Sequence, residues 1–241
     1  MRLGFSTGSL ALDNFREGVR MATNERVKAI ELSALREDEL DPLLIAIDSL
    51  QEALDPFEYV SFHAPSRLHR LSEADFVNRL QPIADRGWAI IIHPDIIQDF
   101  SLWLRLGSAV CIENMDKRKN TGRTAAQLQR IFQLLPEATF CFDIGHARQV
   151  DPTMQEARTF LQCFRDRLRQ VHMSYVNSQS RHERLNFECM DAFRRVTNLI
   201  ADDIPIILET PVSSELIDHE LNMAQEIFSP AYKLRHEGEV A

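Results

Sequence analysis

The feature that most constrains this chain is a rhythm of eight short apolar runs, at residues 3–6, 29–33, 59–63, 89–93, 109–113, 139–143, 170–174 and 205–209. They recur about every 30 residues, the length of one strand–helix unit. Most are continuously apolar instead of alternating, the pattern of strands covered on both faces. Between them lie segments with helical spacing behind helix-start residues: Asp13 before 15–23, Asp41-Pro42 before 43–54, and Ser72-Glu73-Ala74-Asp75 before 76–84. Thr124 with Gln127, Asp151-Pro152 before 157–168, and Ser213-Ser214 before 216–228 continue the series. Eight strands alternating with helices predict an α/β chain forming a single (β/α)8 TIM barrel, with an open doubly wound sheet as the alternative topology.

The 241 residues suit one such barrel, which typically takes about 250. No linker rich in Gly, Pro or Ser divides them, so the barrel domain is set at residues 1–228. Residues 229–241 lack apolar spacing and form an expected frayed C-terminal tail. The stretch after the fifth run carries Asp116, Lys117, Arg118 and Lys119 and is expected to be an exposed loop.

A formal net charge of −9 provides no global positive field, which argues against nucleic acid and anionic lipid as partners. The four cysteines show no CxxC spacing, and Cys111 and Cys141 sit inside apolar runs as small hydrophobes. Met1 is followed directly by strand-like sequence, and nowhere are there 18 uninterrupted apolar residues. A soluble, cytoplasmic protein is the expectation, with homo-oligomerisation left open.

Chemistry gathers where the runs end. Around Cys141-Phe142-Asp143-Ile144-Gly145-His146 an apolar run meets an acid, and a histidine follows three positions later. In barrels of this kind active sites form at the C-terminal strand ends, and those ends read His63, His93, Glu113, Asp143 with His146, His172 and Glu209. Six consecutive strands thus deliver a metal-ligand residue type to one rim. Singly each has a plain reading: His63 as a hydrogen-bonded rim residue, Glu113 as the cap of the next turn, Glu209 as the partner of an arginine. Together, imidazoles and carboxylates suit Zn, Mn, Fe or Co better than Ca or Mg alone, and the carboxylates can bridge two ions. Without a cation, three converging carboxylates would repel one another. His69, His219 and His236 fall in loop or helix positions and receive no role, and Arg36, Arg67 and Arg70 read as a solvated charged loop.

These residues resemble the xylose isomerase-like barrels, a superfamily that includes endonuclease IV (the AP endonuclease 2 family) and the sugar phosphate isomerase/epimerase-like proteins related to D-tagatose 3-epimerase. The matching pieces are Phe62-His63-Ala64-Pro65, Ile92-His93-Pro94, Ile112-Glu113-Asn114, Asp143-Ile144-Gly145-His146, Val171-His172-Met173-Ser174 and Leu208-Glu209-Thr210-Pro211, from the third strand to the eighth. The endonuclease pattern implies a first metal on His63 and His93, with Glu113 bridging to a second held also by Asp143, His172 and Glu209. Its third metal would use His146 and an Asp-x-His pair, which here reads Ser180-Arg181-His182 and lacks the aspartate. The epimerase pattern implies one metal on Glu113, Asp143, His172 and Glu209, with the position of His146 holding substrate oxygens. The resemblance therefore implies one or two divalent ions, Zn or Mn. It further implies Glu113 and Glu209 as catalytic groups, and His146, His182, Arg184 and Glu31 as substrate-binding positions.

The expected function is a metal-dependent isomerase or epimerase of a small sugar or sugar-like hydroxyketone. Two alternatives stand beside it: an endonuclease IV-like phosphodiester hydrolase acting on abasic DNA, which the extra histidines His63 and His93 favour, and a barrel that binds a ligand without turnover. Charge decides for the small carbohydrate-like substrate, because tight DNA binding needs about six to ten phosphate contacts.

Overall fold

The computed structural model describes residues 1–229; the rest of the expected tail lies outside the described residues. Among the described residues there are ten strands: β1 (Leu3–Ser6), β2 (Ala29–Ser33), β3 (Tyr59–His63), β4 (Ala89–Ile92), β5 (Val110–Glu113), β6 (Thr139–Asp143), β7 (Leu168–Met173), β8 (Tyr175–Val176), β9 (His182–Glu183) and β10 (Ile206–Leu208). Seven of them, β1 to β7, pair in parallel in sequence order, and β10 closes the barrel between β7 and β1. Each apolar run of the sequence lies on one of these eight strands. The short β8–β9 pair is an antiparallel hairpin after β7. Among the described residues no helix is long and apolar enough to cross a membrane.

Continuous apolar runs are required because each strand is buried on two faces. Phe140 and Phe142 of β6 face outward and pack against Phe160 of the helix Gln155–Cys163, all three fully buried, and burying each such side chain stabilises the fold by about 1.5–3 kcal/mol. Inside the barrel, Ala89, Ile91, Cys111 and Cys141 form a small apolar cluster. All four cysteines are free.

Two of the expected helix starts hold as read: Ser72 accepts from the Asp75 amide and Thr124 from the Gln127 amide. Others move. Asn14, not Asp13, caps the first long helix (Phe15–Ala22), and Asp13 itself has a left-handed φ of 66°. The helix expected from residue 43 begins earlier and spans Glu37–Ala46 with Pro42 inside. Leu40, Leu43 and Ala46 are buried along one face, and that burial carries the helix across the missing proline N–H. The helix expected over 157–168 starts earlier, behind Asp151, which accepts from the Thr153 and Glu156 amides, and it ends at Cys163, because a short turn at Arg165–Arg167 already leads the chain into β7. The charged stretch after β5 is a loop, but Asp116 within it is buried and gripped by Arg118 at 2.6 Å.

Glutamates near helix starts fasten neighbouring loops. Glu37 accepts from the amides of His69, Arg70 and Leu71. Glu73 accepts from the Gln98 and Asp99 amides and the Trp103 indole, and Glu220 from the Leu185 amide. The backbone donors of these rim loops are thereby satisfied, which keeps the strand ends fixed.

Candidate metal centre

The strand ends bring the expected residues to one place. Asp143 ends β6 and caps the helix Ile144–Val150, its Oδ1 accepting the His146 amide at 2.6 Å. That fixes the carboxylate and leaves Oδ2 pointing inward. Gly145 is required there, because a side chain would meet the Ser174 carbonyl at 2.5 Å. Asn114, fully buried after β5, locks the fifth and sixth strand ends: its Nδ2 donates to the Asp143 carbonyl and its Oδ1 accepts the Asp143 amide, both at 2.8 Å.

Glu113 is the hub. Its Oε2 lies 3.6 Å from His63 Nε2 and 3.2 Å from His93 Nε2, and its Oε1 lies 3.4 Å from both His146 Nδ1 and His172 Nδ1. His172 Nδ1 is also 3.5 Å from Glu209 Oε2, which is in turn 3.4 Å from His182 Nδ1. His63 Nδ1 donates to the Ala64 carbonyl at 2.9 Å, so Nε2 is the nitrogen that faces Glu113. His146 Nδ1 is 3.0 Å from the Asn114 carbonyl, and Ser174 Oγ lies 2.8 Å from His182 Nδ1.

The protonation of this ring follows from crowding. Burial and the Glu209 and Glu113 carboxylates push Asp143 well above the usual carboxylate range. Burial also acts against Glu113, but the imidazoles of His172, His63 and His93 beside it outweigh burial and hold the group well below that range. Burial lowers His63, and the surrounding glutamates, Glu113 first, overcome it and lift the imidazole to about 9. His172 is also raised: burial lowers it, and the neighbouring Cys141 sulfur, with Glu209 and Glu31, outweighs burial.

At the ring, Glu113 Oε2, Asp143 Oδ2 and Glu209 Oε2 are buried without a hydrogen-bond partner, as is Glu31 Oε1 beneath them. Unpaired buried acceptors are costly, and a divalent cation satisfies those at the ring together. One ligand atom from each of Glu113, Asp143, His172 and Glu209 lies within 4.8 Å of the others, and the same holds for His63, His93 and Glu113. The donor set, carboxylate oxygens with imidazole nitrogens, fits a transition-type divalent ion.

Of the substrate-binding expectations, His146 and His182 are at the ring, their centroids 5.3 Å apart. Glu31 and Arg184 differ. Glu31 is fully buried beneath His172, with Oε2 2.9 Å from His172 Nε2, so it faces that imidazole and not the open rim. Arg184 directs its Nε to Glu220 at 3.3 Å and makes no hydrogen bond to a ring residue among those described. Ser180, at the position where the endonuclease pattern carries aspartate, accepts from Gln149 Nε2 at 2.7 Å instead of joining His182. Asn114 and Ser174 stand in the matching sequence pieces without a role assigned to them, and the buried Gln170 carries no sequence signal. Asn114 directly follows Glu113, and that adjacency was the available signal.

No family model and no curated protein matches this sequence. Solved structures do. The IolI protein with a binding zinc atom superposes with a TM-score of 0.68 at 13% identity, over 95% of this chain and 98% of that one. A xylose isomerase domain protein from Planctomyces limnophilus gives 0.61 at 13% identity, over 94% and 96%. The probable 3-DHS dehydratase AsbF, involved in petrobactin synthesis, from Bacillus anthracis gives 0.61 at 11% identity, over 94% and 97%. At these identities the likeness is one of fold.

Proposed function

Starting from a xylose isomerase-like (β/α)8 barrel, we propose that this chain is a divalent-metal-dependent isomerase or epimerase of a small sugar or sugar-like hydroxyketone. The observation that carries the reading is the convergence of the unpartnered oxygens of Glu113, Asp143 and Glu209 with His172 Nδ1 at the end of the barrel. Those four residues would hold one ion, Zn or Mn, and His63 and His93 with Glu113 form a second ligand group. A bound divalent ion supplies Lewis-acid polarisation of a substrate carbonyl and its neighbouring hydroxyl.

The chain's own groups do the rest. Glu113 and Glu209 stand on β5 and after β10, with β6 and β7 between them, so they can address different sides of one small substrate. One carboxylate removes the proton from the carbon next to the carbonyl, and the other returns a proton to the opposite face or to the adjacent carbon. With Nδ1–H donated to the Asn114 carbonyl, His146 keeps Nε2 for a substrate oxygen, and Ser174 holds the His182 ring beside it.

The His63–His93–Glu113 group favours a second reading, phosphodiester hydrolysis with two ions. Charge weighs against it: of the charged loop residues Arg36, Arg67 and Arg70, Arg36 is already engaged by Asp13, Asp38 and Glu39, which leaves Arg67 and Arg70 to meet phosphates. The deciding experiment incubates the Zn- or Mn-loaded protein with short ketoses and hydroxyketones in deuterated water. Deuterium entering the carbon beside the carbonyl, in a way that depends on Glu113, supports the isomerase. Incision of abasic duplex DNA that chelator abolishes, with no exchange into any ketose, would replace it by the hydrolase.

A further inference from the structure

Below the ring, the barrel interior holds a polar group that hydrophobic packing does not call for. Glu31 on β2, Ser61 on β3 and Gln170 on β7 are fully buried. The Tyr59 hydroxyl donates to Gln170 Oε1 at 2.7 Å, Gln170 Nε2 donates to Glu31 Oε2 at 2.8 Å, and Ser61 Oγ donates to the same oxygen at 3.2 Å. A carboxylate drawn this far from water needs a partner that justifies it.

That partner is His172. Its Nε2 lies 2.9 Å from Glu31 Oε2 and 2.8 Å from Gln170 Nε2, while its Nδ1 faces Glu113 and Glu209 at 3.4 and 3.5 Å. The ring nitrogen thus meets an acceptor and a donor at nearly equal distance. Reversing the Gln170 amide would remove the donor but would set its carbonyl oxygen against Glu31 Oε2, so the amide stays as it is. If Nε2 carries the proton, it donates to Glu31 and Nδ1 offers a lone pair to the ring. If Nδ1 carries the proton, Nε2 accepts from Gln170 and an N–H points at the place where a cation would sit. A hydrogen bond to an ionised acceptor is about twice as strong as one between neutral groups, so the choice falls to Glu31.

We propose that Glu31 is a positioning residue that holds His172 in the Nε2-protonated form, so that Nδ1 is presented to a divalent ion, with Gln170 and Ser61 fixing the Glu31 carboxylate. The proposal rests on reading the ring as a metal centre. It turns Glu31 from a substrate contact into a support of the ligand shell, the arrangement in which a carboxylate fixes the tautomer of a ligating histidine and raises its basicity.

Zinc affinity of the full chain, measured by competition with a chromophoric chelator, tests it. Glu31→Gln keeps the shape but offers His172 either an amide oxygen or an amide N–H, and the selection by charge is gone. The expected loss is about 10- to 100-fold in affinity, with a smaller rise in melting temperature on adding zinc. The melting temperature of the metal-free variant distinguishes this from plain structural damage, which would lower both forms alike. Nitrogen-15 spectra of the zinc-loaded unmutated protein provide a readout that does not depend on the variant folding: His172 Nε2 should be the protonated, hydrogen-bonded nitrogen. An unprotonated Nε2, or zinc binding by the Gln variant within about twofold of the unmutated chain where a support of the shell requires at least tenfold, overturns the proposal while leaving the metal centre standing. Failure of the unmutated chain to bind zinc removes both.

Discussion

Two sets of carboxylates occupy the same end of this barrel and live in opposite conditions. Glu37, Glu73 and Glu220 have their oxygens filled by backbone amides, an indole and an arginine. Glu113, Asp143 and Glu209 each keep an oxygen that nothing in the described chain satisfies. Acidity does not separate the two sets: the amides of His69 and Arg70 hold Glu37 below the usual range and the ring imidazoles hold Glu113 below it, whereas burial and neighbouring carboxylates push Asp143 above it. The difference teaches that an acid at a strand or helix end does not by itself signify function. What matters is whether its lone pairs are already used.

Breaking the second set should cost activity and leave the fold. Glu113→Gln is isosteric and relieves repulsion in the metal-free ring, so turnover should fall by a factor of about 100 to 10 000 with an unchanged far-ultraviolet circular dichroism spectrum. Near-normal turnover of the substrate found by deuterium exchange would remove Glu113 from catalysis.

The ring should also respond to acid in a way the fastened set does not. Metal ligation needs neutral imidazole, and His63 holds its proton up to about 9 in the metal-free ring. Protons therefore compete with the cation below that value, and affinity should climb by up to about tenfold for each pH unit and each proton displaced. Chelator competition between about pH 6 and 8 measures the slope; a flat profile would mean that the histidines are not ligands.

Breaking the first set should do the reverse. Glu73→Ala strands the indole N–H of the fully buried Trp103 and two loop amides. A loss of about 1–3 kcal/mol in urea unfolding is expected, with zinc affinity of the folded protein preserved. If zinc binding collapsed while stability held, the two sets would not be separable.

The smallest effect belongs to Arg184. Because it pairs with Glu220, Arg184→Ala should alter kcat/KM by no more than about twofold, as a surface change does. A large rise in KM would restore it as a substrate contact.

The strands were legible because burial on two faces writes a continuous apolar run, and the ring because its members stand where those runs end. Helix starts were less so: Pro42 marks a beginning by local rule, but the buried face of Leu40, Leu43 and Ala46 overrides it. The place of Glu31 was hidden for a different reason. It sits on β2 and touches His172 on β7, strands that are not neighbours in the barrel, and only the direction of side chains across the closed interior brings them together. The pairing of Arg184 with Glu220 was hidden because a loop position says nothing about which way a long side chain turns.

The most direct test is the metal content of the purified chain, by elemental analysis together with anomalous diffraction at the ring. One or two divalent ions per chain, Zn or Mn, bound by Glu113, Asp143, His172 and Glu209 with or without a second at His63 and His93, is the predicted result. Three ions per chain, or a fully folded protein that takes up none when either metal is supplied and leaves those carboxylates to water and protons, would contradict it.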